Sequence, residues 1–246
     1  MKTLSVIAIA AIVCCFTACK KNDTPAPVIV PVVVPKVKTV SSTANGVVEA
    51  PSLNEYDSMG RLIKITYSDG AYCTFNYAAQ VVTNDCYNAA NAFVVKTTYG
   101  LNAQGLVATA VTSNSSTVTT EFKFDGTRQM ASQVTKDKGL VTSANYFEYD
   151  HSGNRIKDSL VTINGAYINT YDYYLDKIST TEQINFGRSI FGTGNKNCLK
   201  RIILKDIQGN TTVSTYSVPQ TDAAGRISTT EFDYNGSVVT TTFTYY

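Results

Sequence analysis

Charge is scarce in this 246-residue chain: Asp, Glu, Lys and Arg make up 16% of it, and the net charge is +2. No polyanionic partner is implied, nucleic acid included, and solubility must rest on Thr, Ser and Asn. Histidine occurs once, at His151, and no Cys-x-x-Cys spacing exists, which leaves no readable metal site. A lone His inside a polar turn, with no nucleophile at readable spacing, reads as solvated. There is no Gly-x-Ser-x-Gly elbow, phosphate loop or dinucleotide fingerprint. Gly192-Thr193-Gly194 near Lys196 is too short to count as one. The Thr and Asn runs lack the Asp-rich spacing of a calcium loop. No cofactor is expected. Tryptophan is absent and strong helix formers are sparse.

What is abundant favours β-structure: sixteen Tyr, ten Phe and a large excess of Thr and Val. These are the residues that pleated, half-buried surfaces select. The organising stretch is residues 54–70, NEYDSMGRLIKITYSDG. It turns through Asp57-Ser58-Met59-Gly60, runs β-compatible from Arg61 to Tyr67, and turns again at Asp69-Gly70. The same grammar recurs downstream. An Asp/Asn-x-x-Gly turn starts at Asp57, Asn102, Asp150, Asp206 and Asp222, closing on Gly60, Gly105, Gly153, Gly209 and Gly225. A two-residue hairpin signal follows three of them: Asp69-Gly70, Asn164-Gly165 and Asn235-Gly236. Asp-Gly and Asn-Gly suit a type I′ turn, whose central residues both need positive φ. The spacing predicts strands of about seven to nine residues joined by alternating four- and two-residue turns.

A second register agrees with the first. Glu55-Tyr56-Asp57, Glu148-Tyr149-Asp150 and Glu231-Phe232-Asp233 share Glu-aromatic-Asp, at a distance that fits one hairpin per unit of about 21 to 23 residues. Residues 193–200 break the period. Alternation puts Ile63, Ile65 and Tyr67 on one face and Leu62, Lys64 and Thr66 on the other. One face is aromatic and the other mainly Thr and charge. The fold class expected is all-β: an antiparallel meander of repeated hairpins forming a long twisted sheet. To cover its apolar face the sheet must curl into a barrel-like or two-layer shape.

Tyr56-Asp57-Ser58-Met59-Gly60-Arg61-Leu62 resembles the Tyr-Asp repeat of Rhs-type proteins, whose core reads Tyr-Asp-x-x-Gly-Arg-Leu. Residues 149–156 match it with one inserted residue, and Asp222 to Ile227 match without the tyrosine. The resemblance is closest to the repeat domain of uncharacterised Bacteroidetes-type surface lipoproteins. It implies a meander of hairpins and no activity, since in Rhs proteins the repeats form a shell and the toxin is a separate domain. No such domain is expected here, because the chain stops at Tyr246 within a strand-like run.

The N-terminus carries an address. Met1-Lys2 is followed by an apolar run over residues 4–16, too short for a permanent membrane helix. Phe16-Thr17-Ala18-Cys19 resembles the lipobox of bacterial lipoproteins, with Phe in the usual place of Leu. Lys20 to Asp23 is similar to the charged stretch after the lipidated cysteine in Bacteroidetes-type surface lipoproteins. The resemblance implies a signal peptide over residues 1–18, acylation (palmitate among the chains) at Cys19, and an outer-membrane lipoprotein facing the periplasm or the cell surface. Residues 19–46 then read as a lipidated terminus and Pro/Val-rich spacer, extended because proline forbids a central strand. Residues 47–246 form the repeat-built β domain. Of six cysteines, Cys73, Cys86 and Cys198 remain. Cys73 and Cys86 flank Ala78-Ala79-Gln80, so a hairpin there sets them opposite each other and a disulfide is within reach. Cys198 is then a free, buried thiol.

Asp57, Asp150 and Asp222 are acids, but each starts a turn, where its side chain caps the following amides. Glu55, Glu148 and Glu231 read as cross-strand partners of Lys or Arg. The aromatics are the one positive binding signal: they either pack the covered face or line a groove that stacks on sugar rings. The expectation is a non-catalytic envelope-anchored lipoprotein whose partners are the membrane, through the lipid, and a glycan or another envelope protein. The alternatives are an envelope glycan hydrolase using turn carboxylates and a purely structural spacer.

Overall fold

The protein is seen in a computed structural model that describes residues 34–113, 115–234 and 236–246. The signal peptide, Cys19, the spacer up to Val33 and Asn235 lie outside the described residues. The strands are β1 (Val37–Ala44), β2 (Val47–Val48), β3 (Ser52–Tyr56), β4 (Leu62–Thr66), β5 (Tyr72–Tyr77), β6 (Val81–Tyr87), β7 (Phe93–Leu101), β8 (Val107–Thr112) and β9 (Ser115–Phe124). They continue as β10 (Met130–Asp137), β11 (Leu140–Tyr149), β12 (Arg155–Thr162), β13 (Gly165–Ile178), β14 (Asn197–Lys205), β15 (Thr211–Tyr216), β16 (Gln220–Thr221), β17 (Ile227–Tyr234) and β18 (Ser237–Tyr245). Among the described residues a single 3-10 turn, Ser189–Phe191, interrupts them.

Each strand pairs antiparallel with the next, β1 with β3 and β15 with β17, and β18 returns to β1. Sixteen strands thus close into a barrel, with the two-residue β2 and β16 as extras. Closure leaves no open sheet edge. It depends on a strand the spacer reading did not anticipate. Val37–Ala44 pairs with β18 from Val37 opposite Tyr245 to Ala44 opposite Val239, so the barrel begins before residue 47. The prolines that exclude a central strand end at Pro35, and every later residue of β1 has an N–H for the ladders.

One loop is used seven times, opening at Asp57, Asn88, Asn102, Asp125, Asp150, Asp206 and Asp222. In each, the first backbone N–H donates to the carbonyl four residues on, at 2.8–3.0 Å. The Oδ1 of the same residue accepts the N–H groups two and four positions later. The fourth residue has positive φ, which Gly takes without cost; Asn91 (61°) and Arg128 (69°) take it in the two copies that lack Gly.

The expected two-residue turns differ from this in detail. At Asp69-Gly70 only Gly70 has positive φ, because Tyr67 opens a loop of the same backbone pattern, its N–H on Ala71 O at 2.8 Å. Thr162 pairs with Gly165, so the connection there is Ile163-Asn164 and Gly165 begins β13. Tyr234 pairs with Ser237, which brackets residues 235 and 236, and Gly236 has φ 81°. Positive φ at both central positions occurs at Asn45-Gly46 and Lys138-Gly139.

The register sorts the faces. Tyr56, Ile65, Phe75, Tyr77, Tyr99, Phe122, Phe147 and Tyr149 share the face that turns into the lumen, as do directly opposed Cys73 and Cys86, which form a disulfide. Leu62, placed by alternation on the other face, is wholly buried, because a bulge between Glu55 and Tyr56 shifts the register where β4 leaves its loop. The core sits at one rim: Val37, Leu62, Val82, Leu106, Val107 and Ile227 are at most 2% exposed, and all but Val37 follow a loop of that rim.

Truncating Leu62 to Ala removes a fully buried side chain and should lower stability in urea unfolding by about 2–5 kcal/mol. Met59→Ala, at a position 68% exposed in the same loop, should stay within about 0.5 kcal/mol.

Candidate functional site

Residues 179–196, between β13 and β14, do not form a hairpin. They turn into the barrel at the buried rim and close it. The cause lies at four rim positions, Val37 and the loop-exit residues Leu62, Arg155 and Ile227, each with an N–H and a C=O turned away from the sheet ladder. Both are recovered. The Val37 N–H donates to Asn185 O at 3.0 Å and the Leu62 N–H to Gly187 O at 3.2 Å. The Arg155 N–H donates to Asn195 Oδ1 at 2.9 Å and the Ile227 N–H to Thr180 Oγ1 at 2.8 Å. The matching carbonyls accept tyrosine hydroxyls from the next wall strand: Tyr56 to Val37 (2.6 Å), Tyr77 to Leu62 (2.9 Å), Tyr173 to Arg155 (2.7 Å) and Tyr245 to Ile227 (2.8 Å). Tyr149 does the same to Met130 at 3.0 Å. The tyrosine of Glu-Tyr-Asp is therefore a rim brace.

Beneath this plug a cavity of about 530 Å³ lies against β7 to β12. Tyr99, Phe122, Phe147 and Tyr149 line it from the wall, and Phe191 from the plug stands edge-on to Tyr99 at 5.4 Å. Polar groups converge from Arg155, Glu182, Gln183 and Asn195. Arg155 Nε and Gln183 Oε1 are buried without a protein partner. Burial pushes the Glu182 carboxyl above its ordinary value, outweighing hydrogen bonds from Asn195 and Ser179. Desolvation also raises the inward tyrosines, Tyr77 to about 12, so they stay neutral donors. A second cleft, at the rim between the loops of Asp125 and Asp150, holds His151 and Lys196.

Arg155 reaches the lumen through a substitution that the sequence pattern conceals. Asn154 fills the place of Arg61 in the loop: its N–H binds Asp150 Oδ1 at 2.8 Å and its Nδ2 binds Oδ2 at 3.2 Å. No residue is inserted. Arg155 stands where the other copies have Leu62 and Ile227, pairing with Tyr149 as Leu62 pairs with Tyr56.

The turn residues singled out in the sequence, Asp57, Gly60, Asp150, Gly153, Asp222 and Gly225, hold loops. The Arg226 backbone N–H, with its guanidinium, keeps the Asp222 carboxyl below its ordinary value. These acids are charged caps, unsuited to donate a proton near neutral pH. On the outer wall Glu55 meets Lys64 (3.7 Å) and Glu148 meets Lys157 (2.7 Å), whereas Glu231 accepts the Ser217 hydroxyl at 3.0 Å instead of a cation. Among the described residues no group of three metal-ligating side chains occurs. Glu182, Phe191 and Asn195 were not singled out from sequence. The broken period at residues 193–200 was the one signal pointing towards them.

In fold the chain is similar to a porin-like protein from Bacteroides uniformis, with a TM-score of 0.60 at 15% identity, over 85% of this chain and 98% of that one. That likeness shows the fold alone. A chain of the Tc holotoxin pore of Photorhabdus luminescens aligns at a TM-score of 0.33 and 11% identity, over 74% of this chain and 12% of that one, too weakly to carry an argument. No protein-family profile and no curated protein matches the chain, so no family match supports the Tyr-Asp repeat resemblance.

Burial of Glu182 predicts a pH-dependent contribution to the plug. Its folded pKa lies above the unfolded value, so its contribution is fully present below the unfolded pKa of about 4.5 and is lost as pH rises through the folded pKa. Melting temperatures measured across that range should show Glu182→Gln gaining on the parent protein as pH rises. Parallel curves would contradict the burial of this carboxyl.

Proposed function

We propose that the protein is a non-catalytic binding module of the bacterial envelope that takes a saccharide into its plugged lumen. The observation that carries this reading is the 530 Å³ cavity with five aromatic rings and a few convergent polar groups. Size and lining suit a small-ligand site, and ring faces beside unpartnered donors and acceptors suit a sugar.

The barrel stands in water, tethered by lipid on Cys19. Its outer wall carries Glu55 with Lys64, Asp85 with Lys96 (3.5 Å), Glu121 with Lys136 (2.6 Å) and Glu148 with Lys157, on strands around much of the circumference. A membrane-spanning wall needs an outward apolar band about 25 Å tall, and each Lys or Arg at its midplane costs about 2–4 kcal/mol. The sixteen-strand fold is thus read as a vessel and not as a channel. The Tyr-Asp resemblance agrees with a shell built of repeats.

A second reading, an envelope glycan hydrolase, has one observation in its favour. Glu182 is a carboxyl of raised pKa facing a cavity, the property of a general acid. Hydrolysis needs a second carboxylate about 5 to 10 Å away. The other buried acid, Asp158, is engaged by Asn169 Nδ2 at 2.9 Å, the Tyr171 hydroxyl and Arg155.

Two measurements test the reading. On a glycan array followed by calorimetry, the protein should bind a saccharide, and Tyr99→Ala or Phe147→Ala should weaken binding by roughly tenfold or more. Turnover abolished by Glu182→Gln would move the assignment to the hydrolase, and neither binding nor turnover would leave a structural spacer. In cells, the parent protein should partition into detergent and Cys19→Ala into the aqueous phase; detergent partitioning of both would overturn the water-facing wall.

A further inference from the structure

We infer that the lumen is selective for an acidic saccharide, whose carboxylate docks on Arg188. This rests on the saccharide-binding reading above.

Arg188 belongs to the plug and is fixed by its backbone. Its N–H donates to Gln183 O at 2.9 Å and its carbonyl accepts the Phe191 N–H at 3.1 Å. The preceding Gly187 has φ 66° and lies so close to the wall that an added Cβ would fall 2.6 Å from Leu62 N and 2.8 Å from the Tyr56 ring. The arginine therefore cannot swing away with its loop. Its guanidinium sits 5.2 Å from the centroid of the Phe186 ring. Its Nε is buried with no hydrogen-bond partner, and among the described residues no carboxylate pairs with it.

Its neighbours are mostly uncharged. Tyr56, Tyr67, Tyr77 and Tyr99 lie close enough to act on its charge, and burial costs it part of its solvation. Arginine stays protonated through such a loss, so this end of the lumen holds a cation near several phenols. The other lumen charges do not answer it. Arg155 lies 3.7 Å from Asp158, and Glu182, whose burial favours its neutral form, is influenced by Arg155. A half-buried guanidinium without an acid is costly, and a carboxylate held by its paired N–H donors removes that cost. Tyr99 links the two places, since it both lines the aromatic cavity and lies near Arg188. A sugar stacked in the cavity can therefore present a carboxylate to the arginine. A uronic acid residue has this combination of ring and charge.

The test compares tetragalacturonate with a neutral tetrasaccharide by calorimetry on the whole protein, with thermal melting to establish that each variant is folded. The parent protein should prefer the uronate by roughly tenfold or more, as hydrogen bonds to charged groups imply, and the preference should shrink in high salt. Arg188→Gln should bring the ratio close to one, and Arg188→Lys should keep part of it. Equal affinities in the parent protein, or a preference that survives Arg188→Gln, overturns the inference. If neither tetrasaccharide binds, the saccharide reading itself has failed, and acetate decides the arginine separately. Tyrosine ring resonances shifted by acetate in the parent protein but not in Arg188→Gln retain the anion site, and no shift in either rejects it.

Discussion

The constraint on which the rest depends is the pair of backbone groups that each bulged loop exit takes out of the sheet ladder. A bulge lets the strand leave an Asx loop and still join its neighbour, at the cost of one N–H and one C=O facing the lumen. Buried backbone groups left unpaired cost about as much as lost hydrogen bonds. At Val37, Leu62, Arg155 and Ile227 the carbonyls go to tyrosine hydroxyls and the N–H groups to residues 179–196. Wall and plug therefore satisfy each other. The plug is part of the sheet's hydrogen-bond accounting, and its course is dictated by where the loop exits lie.

Barrel size explains why such a plug is needed. Eight strands leave an interior that wall side chains can fill, whereas sixteen leave open space. The wall contributes Tyr and Phe, large but insufficient to meet across the middle, so burial is complete only at the plugged rim. There Val37, Leu62, Val107 and Ile227 find apolar contacts and their exposure falls to 2% or less. Lower in the lumen the lining turns to Thr and aromatic rings, and space remains. The same inward tyrosines thus brace the rim and face the cavity, which joins the two alternatives, packing or groove, that the alternation left open.

Legibility followed locality. Asp57, Asp150 and Asp222 could be recognised because an Asx cap and a Gly three positions along are enough to define the loop. The copies at Asn88 and Asp125 were missed because Asn91 and Arg128 occupy the left-handed position, which Gly ordinarily signals. Asn154 hides a regular loop, since its shorter side chain reaches Asp150 Oδ2 as Arg61 and Arg226 reach the Oδ2 of Asp57 and Asp222, and the reading frame slips by one. The strand at Val37–Ala44 reads as spacer in the sequence because its partner, β18, is about 200 residues away, and no local pattern records a pairing of that range. The plug has no periodicity to read. Its position follows from the exits it serves, which exist only once the barrel has closed.

The placement of charge separates wall from lumen. On the outside, acids and bases face one another across neighbouring strands, where exposed pairs contribute little stability and keep the surface wet. Inside, two arginines stand among aromatic rings, one beside Asp158 and one with no acid. A fold held by backbone bonds from the plug has no structural use for a cation in that place, since an apolar residue of similar volume would avoid its desolvation cost. The plug fixes the Arg188 backbone through main-chain contacts on both sides, so the cost of ordering that backbone is met in folding and not on binding. A guanidinium with no acid partner among the described residues, near the Tyr99 that lines the aromatic cavity, is an arrangement suited to recognition, and it lies in the plug that follows β13.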